Sequence, residues 1–108
     1  MILKLKGIFS YIESSNKTHK LHFVFLDDDK SLDKLQSLIN NCSLPYTNDQ
    51  FTVSLNFNPI PSDIASLVGK RVDVWVTLVN YSFVSKANHN KGQKISGVRL
   101  LLENISAI

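Results

Sequence analysis

Cysteine is almost absent from this chain. Cys42 stands alone among 108 residues, so no internal disulfide can form and no Cys-x-x-Cys spacing offers a zinc site. With no base partner in view, Cys42 reads as a buried or merely exposed thiol and not as a nucleophile. Glycine is sparse as well, and its four copies are scattered, which excludes a glycine-rich loop that cradles phosphates. No run of eighteen apolar residues occurs, and the opening Met-Ile-Leu-Lys-Leu-Lys-Gly alternates where a secretion signal would be continuously apolar. The expectation is a cytoplasmic protein with no membrane partner. Hydrophobic residues at 44% and charged residues at 19% argue against disorder. A length of 108 residues suits one domain, residues 1–108, built around one core.

Catalytic signatures are missing too. There is no Ser-His-Asp ordering and no pair of acids spaced for acid–base work. His19 and His22 are metal-ligand types, and Asp27, Asp28, Asp29 and the distant His89 are further candidates. In a strand, however, residues three apart point to opposite faces, so the first two histidines cannot chelate one ion together. The expectation is a non-enzymatic protein with no metal and no cofactor.

What the chain does have is a strand with two characters. Val72, Val74, Val76 and Leu78 recur at period two, and Arg71, Asp73, Trp75, Thr77, Val79, Tyr81 and Phe83 fall on the other face. The β-branched face suits burial in a sheet. The opposite face combines three aromatics with a cation, the combination that holds single-stranded nucleic acid by base stacking and phosphate attraction.

Charge is unevenly spread around the net value of +3. Residues 1–20 hold four basic side chains against one acidic, residues 21–69 two against six, and residues 70–108 six against two. If the two basic ends pair in one sheet, their lysines sum into a positive surface for phosphates. The competing interpretation is that solvent-facing strand positions are simply often lysine.

The remaining elements follow from periodicity and turn residues. Leu3 and Leu5 alternate with Lys4 and Lys6, and Gly7 before Ile8-Phe9-Ser10-Tyr11-Ile12 predicts a first strand bent or bulged at the glycine. Residues 13–17 form a turn into a second strand over 18–26, with His19, Leu21, Phe23 and Phe25 on one face. Ser31 or Asp29 caps a short helix over 32–40, closed by Asn40 and Asn41. After a polar loop at 45–50, Phe51, Val53, Leu55 and Phe57 give the cleanest alternation in the chain. Pro59 and Pro61 stop it. Ser62 or Asp63 then caps a one- to two-turn helix ended by Gly69. The long fourth strand, a basic loop at 86–93 and a fifth strand from Lys94 to about Ile105 complete the order.

Five strands with a short helix before the fourth and a helical insertion between the second and third predict a mainly β protein, a five-stranded OB-fold barrel. Leu67, Gly69, Lys70, Val72 and Val74 resemble the entry into strand four of OB domains. Lys91-Gly92-Gln93-Lys94-Ile95-Ser96-Gly97-Val98 resembles the closing segment of small single-stranded DNA-binding proteins of phages and mobile elements. That resemblance spans mainly residues 60–108. It implies non-sequence-specific binding of single-stranded DNA, or RNA, in replication, recombination or mobile-element transfer. It also implies replication or recombination proteins as partners. A small barrel holds only a few nucleotides, so a homodimer that extends the site is a further expectation. Residues 103–108 depart from bacterial members in lacking an acidic tail.

On this reading Trp75, Tyr81, Phe83, Tyr11 and Phe9 are the stacking candidates. Lys4, Lys6, Lys17, Lys20, Arg71, Lys86, Lys91, Lys94 and Arg99 are the phosphate candidates. Each has a plain alternative: Trp75 as a core or dimer-interface anchor, Phe9 as core, and single lysines as solvated surface. A protein-interaction module that docks through its aromatic face is the competing function, since fold alone does not choose a ligand.

Overall fold

The computed structural model describes residues 2–15, 18–26, 30–38, 45–55, 60–86 and 91–108. Lys17, Asp27, Asp28, Asp29, Asn40, Asn41, Cys42, Phe57, Pro59 and His89 lie outside the described residues. The chain is mainly β: β1 (Ile2–Ser14), β2 (His19–Phe25), α1 (Ser31–Leu38), β3 (Gln50–Leu55), α2 (Ser62–Ala65), β4 (Arg71–Val84) and β5 (Lys94–Ala107). The strands form one sheet whose hydrogen bonding runs in the order β1, β2, β3, β5, β4 and back to β1, closing into a ring. No helix among the described residues is long and apolar enough to cross a membrane.

β1 serves two neighbours in turn. Residues 2–8 pair with β4 and residues 7–14 with β2, both antiparallel, so Gly7 lies opposite both Val72 and Phe25. This explains the glycine without a bulge there: a Cβ on Gly7 would come within 2.8 Å of the Val24 carbonyl oxygen, closer than real side chains approach. The bulge falls at Ser10 instead, where Phe9 faces Phe23 but Tyr11 faces His22. The ladder of β4 with β5 is the longest, extending from Val72 opposite Ala107 to Val84 opposite Lys94. The parallel ladder of β3 with β5 is the shortest, with two pairs among the described residues, Val53 with Leu100 and Ser54 with Leu101.

The inward faces build the core that the alternation predicts. Leu5, Phe9, Leu21, Phe23, Val53, Val72, Val74, Val76 and Leu100 are fully enclosed, joined by Phe51, Leu55, Val98 and Leu35 of α1. Three phenyl rings form a series through it, with Phe23 stacked 4.9 Å from both Phe9 and Phe51. Burying such side chains contributes about 1.5–3 kcal/mol each.

The helices differ from expectation in their ends. α1 begins at Ser31, which is buried within the helix, and its hydroxyl accepts the Lys6 backbone N–H at 2.8 Å. α2 follows Pro61 without any side-chain cap. Its turn ends at Gly69, whose φ of 88° suits only glycine well. Gly69 N–H donates to the Phe9 carbonyl at 2.6 Å, and Phe9 N–H to the Lys70 carbonyl at 2.9 Å, tying the turn to β1.

Candidate nucleic-acid interface

Outward-facing residues of β1, β2 and β3 share one patch because the registers align them. Tyr11 lies opposite His22, and His22 opposite Thr52; Glu13 lies opposite Lys20, and Lys20 opposite Ser54. Together with Tyr46, Tyr81 and Arg99 they line a cleft of about 410 Å³. Tyr81 is carried by β4 and Arg99 by β5, so every strand of the ring contributes to the wall.

The aromatic part of the cleft is built on a hydrogen-bond chain. The Tyr11 and His22 rings lie nearly parallel, 6° apart, with centroids 4.2 Å from each other. His22 Nε2 is 3.0 Å from Glu13 Oε1, and His22 Nδ1 is 3.4 Å from the Thr52 hydroxyl. A carboxylate only accepts, so the proton sits on Nε2 and, in the neutral ring, Nδ1 accepts from Thr52. Tyr11 is thus backed by an imidazole fixed on both edges, and Tyr11 is half exposed.

Charge in the cleft is mixed. Lys20 and Arg99 are exposed on its walls, whereas Glu13 supplies the acidic group. Beyond Tyr81 a second hollow continues along Asn80, Ser82, Ser96 and Gly97 to Lys94. Lys86 and Lys91, at the ends of the same hairpin loop, are exposed.

Not every sequence candidate reaches this cleft. Phe9 is corrected outright: it is wholly buried in the phenyl series and presents no face to a base. Trp75 is half-buried on another part of the surface, opposite Lys4 on β1 and Asn104 on β5. Lys4 holds its ammonium 5.5 Å above the indole and 3.8 Å from Asp73 Oδ2, so this lysine serves the protein's own side chains. Lys6 lies opposite Asp73 on the same stretch. Trp75 and Tyr81 share β4, but six residues of strand separate them by about 20 Å. The expected single platform of Trp75, Tyr81 and Phe83 is therefore divided. Phe83 stacks near Tyr81 with centroids 6.3 Å apart and is 53% exposed, outside the cleft. Arg71 is exposed at the start of β4 and does not line the cleft.

Two histidines behave as the alternation requires. His22 faces outward into the cleft, while His19 is buried with its Nδ1 2.7 Å from the Ser14 hydroxyl. Among the described residues no group of three or more metal-ligand side chains converges.

Tyr46, Glu13 and Thr52 escaped the sequence reading. Tyr46 lies in a segment without periodicity, and it reaches the cleft because residues 45–47 fold back on β3: Tyr46 bridges Phe51, and Thr52 N–H donates to the Pro45 carbonyl at 2.9 Å. The signal was present in Thr47, whose hydroxyl oxygen accepts from the backbone N–H of Asp49 and of Gln50 at 3.3 Å, a local turn typical of threonine. No protein-family model and no curated protein matches this chain.

Proposed function

We propose that the protein binds single-stranded DNA at the Tyr11 cleft, without catalysis and without a cofactor. The observation that carries this is the half-exposed Tyr11 ring, braced by His22 and flanked by Lys20 and Arg99. A rigid ring face beside two cations offers stacking to a base and attraction to the phosphates on either side. The architecture supports the same reading. A strand order of β1, β2, β3, β5, β4 with a helix before β4 fits an OB-fold barrel, a fold that binds oligonucleotides on the face of its second and third strands and in the loops between strands one and two and four and five. Lys86, Lys91 and Lys94 then line the approach, with a strand continuing past Tyr81.

The test is oligonucleotide binding by anisotropy at several salt concentrations. Tyr11→Ala should weaken binding by about 1–3 kcal/mol, the worth of one stacked base. Trp75→Ala, on the other surface, should leave affinity within about twofold, the size of effect ordinary for a residue outside an interface. The log–log salt slope should be near −0.7 per phosphate neutralised. The second reading, a protein-docking module, is favoured by Phe83 and Val84, which are 53% and 61% exposed at the end of the β4 and β5 hairpin. Under that reading no oligonucleotide binds, and partner association tolerates salt.

A further inference from the structure

An acidic side chain is out of place in a cleft that takes phosphates, yet Glu13 lines this one. Its cross-strand neighbour is Lys20, the partner that simple charge pairing would select. The carboxylate turns instead to His22 Nε2, 3.0 Å away, and among the described residues Lys20 forms no ion pair. The other titratable or charged groups sharing the cleft with His22 are Tyr11 of β1, Lys20 of β2, Tyr46 of the 45–47 turn, Tyr81 of β4 and Arg99 of β5, while β3 supplies only neutral side chains. The anion of the cleft is therefore held by the one side chain there whose charge ordinarily changes between about pH 5 and 8.

We propose that DNA binding at the Tyr11 cleft is coupled to proton uptake by His22, which offsets the Glu13 charge and tightens binding as the pH falls. This rests on the proposed single-strand binding. With a neutral ring the cleft walls present two cations, Lys20 and Arg99, against one anion. With an imidazolium the balance is three against one, and phosphates are attracted more strongly. The hydrogen bonds serve both states with every heavy atom in place. In the neutral ring Nε2–H donates to Glu13 and Nδ1 accepts from the Thr52 hydroxyl. The added proton comes from water, which reaches the ring because 14% of the His22 side chain is exposed. It forms an N–H bond at Nδ1, which then donates to the Thr52 oxygen, since a hydroxyl can either accept or donate. Tyr11 lies flat against the ring, 4.2 Å between centroids, so the stacking face keeps its brace while the charge behind it changes. Linkage makes the effect reciprocal: a bound strand favours the imidazolium by the same factor as the imidazolium favours the strand.

The experiment follows the anisotropy of a labelled thymidine oligonucleotide, whose bases do not take up protons in this range, at about pH 5.5 and about pH 8 and at fixed low salt. The wild-type protein should bind about fivefold more tightly at the lower pH, the lower end of an ordinary coupling between two sites. In His22→Gln, which keeps a polar side chain but cannot take the proton, that ratio should fall to about twofold or less. His19 and His89 remain in this variant, so a response of theirs would survive in it. A purely structural role for His22 would weaken binding at both pH values and leave the ratio as it was. Glu13→Gln, at an exposed position, should bind about fivefold more tightly than wild type at the higher pH, because it makes the same change of one unit of charge. Circular dichroism at both pH values confirms that the three proteins are folded. A wild-type affinity independent of pH overturns the inference and leaves the proposed function standing. A ratio that persists in His22→Gln also overturns it, as does Glu13→Gln binding no more tightly than wild type at the higher pH. If the oligonucleotide binds at neither pH, the proposed function fails and the inference with it.

Discussion

Ser10 decides which aromatic residues meet solvent. Phe9 and Tyr11 are two residues apart, so plain alternation assigns them to one face. The extra residue of the bulge inverts that parity, and Phe9 enters the core opposite Phe23 while Tyr11 emerges opposite His22. The consequence is measurable in urea unfolding. Phe9→Ala should cost about 3–5 kcal/mol of stability, whereas Tyr11→Ala should change it by about 0.5 kcal/mol or less, as surface substitutions do, while impairing binding. Equal losses in both variants would refute the assignment of faces. Sequence pattern located this strand and its apolar residues, yet it placed the irregularity at Gly7 and grouped the two rings. A glycine announces itself in a sequence; a bulge at serine does not, because its cause is the partner strand's register. Glu103 repeats the lesson on β5. Trp75 pairs with Asn104 but Val76 with Leu102, so one residue is skipped and Ile105 packs against the core.

At the scale of elements, α1 gains a purpose that its sequence did not reveal. β2 ends opposite Gly7, so residues 2–6 of β1 have β4 along one edge only. An uncovered edge exposes unpaired backbone groups. α1 covers it: Ser31 accepts the Lys6 N–H, Lys34 Nζ donates to the Lys4 carbonyl at 3.2 Å, and Leu35 is fully buried beneath. Periodicity predicted a helix over 32–40, but covering an edge depends on a strand 25 residues away. Ser31→Ala should lower stability by about 1–3 kcal/mol, the cost of leaving the Lys6 N–H without its acceptor. Because no residue of α1 lines the cleft, oligonucleotide affinity of the folded variant should be unchanged. A fall in affinity without a fall in stability would contradict this role.

On the scale of the whole molecule, the two basic ends of the sequence do come together, since β1 pairs with β4 and β4 with β5. The succession of five strands and two short helices was legible in the sequence, and the division of their side chains into separate surfaces was not. Trp75 and Tyr81 look like one platform in a line of text, but the strand's length and Lys4 above the indole assign them different surroundings. The ring is also unevenly fastened. Most neighbouring strands share six or more residue pairs, while β3 and β5 share two among the described residues. That parallel contact is the clasp of a hoop. Local opening follows the least-held part of a structure, so backbone amides around Val53 and Leu100 should exchange with deuterium sooner than those at the centre of the β4 and β5 ladder. The cleft straddles this clasp, with Thr52 and Ser54 on one side and Val98 and Arg99 on the other. A strand of DNA lying across it would stitch the hoop shut, raising stability by about 2.7 kcal/mol at a hundredfold excess over Kd and slowing exchange there first. Occupancy of the cleft would thus be written in the breathing of the barrel-like sheet, even where no ring reports it.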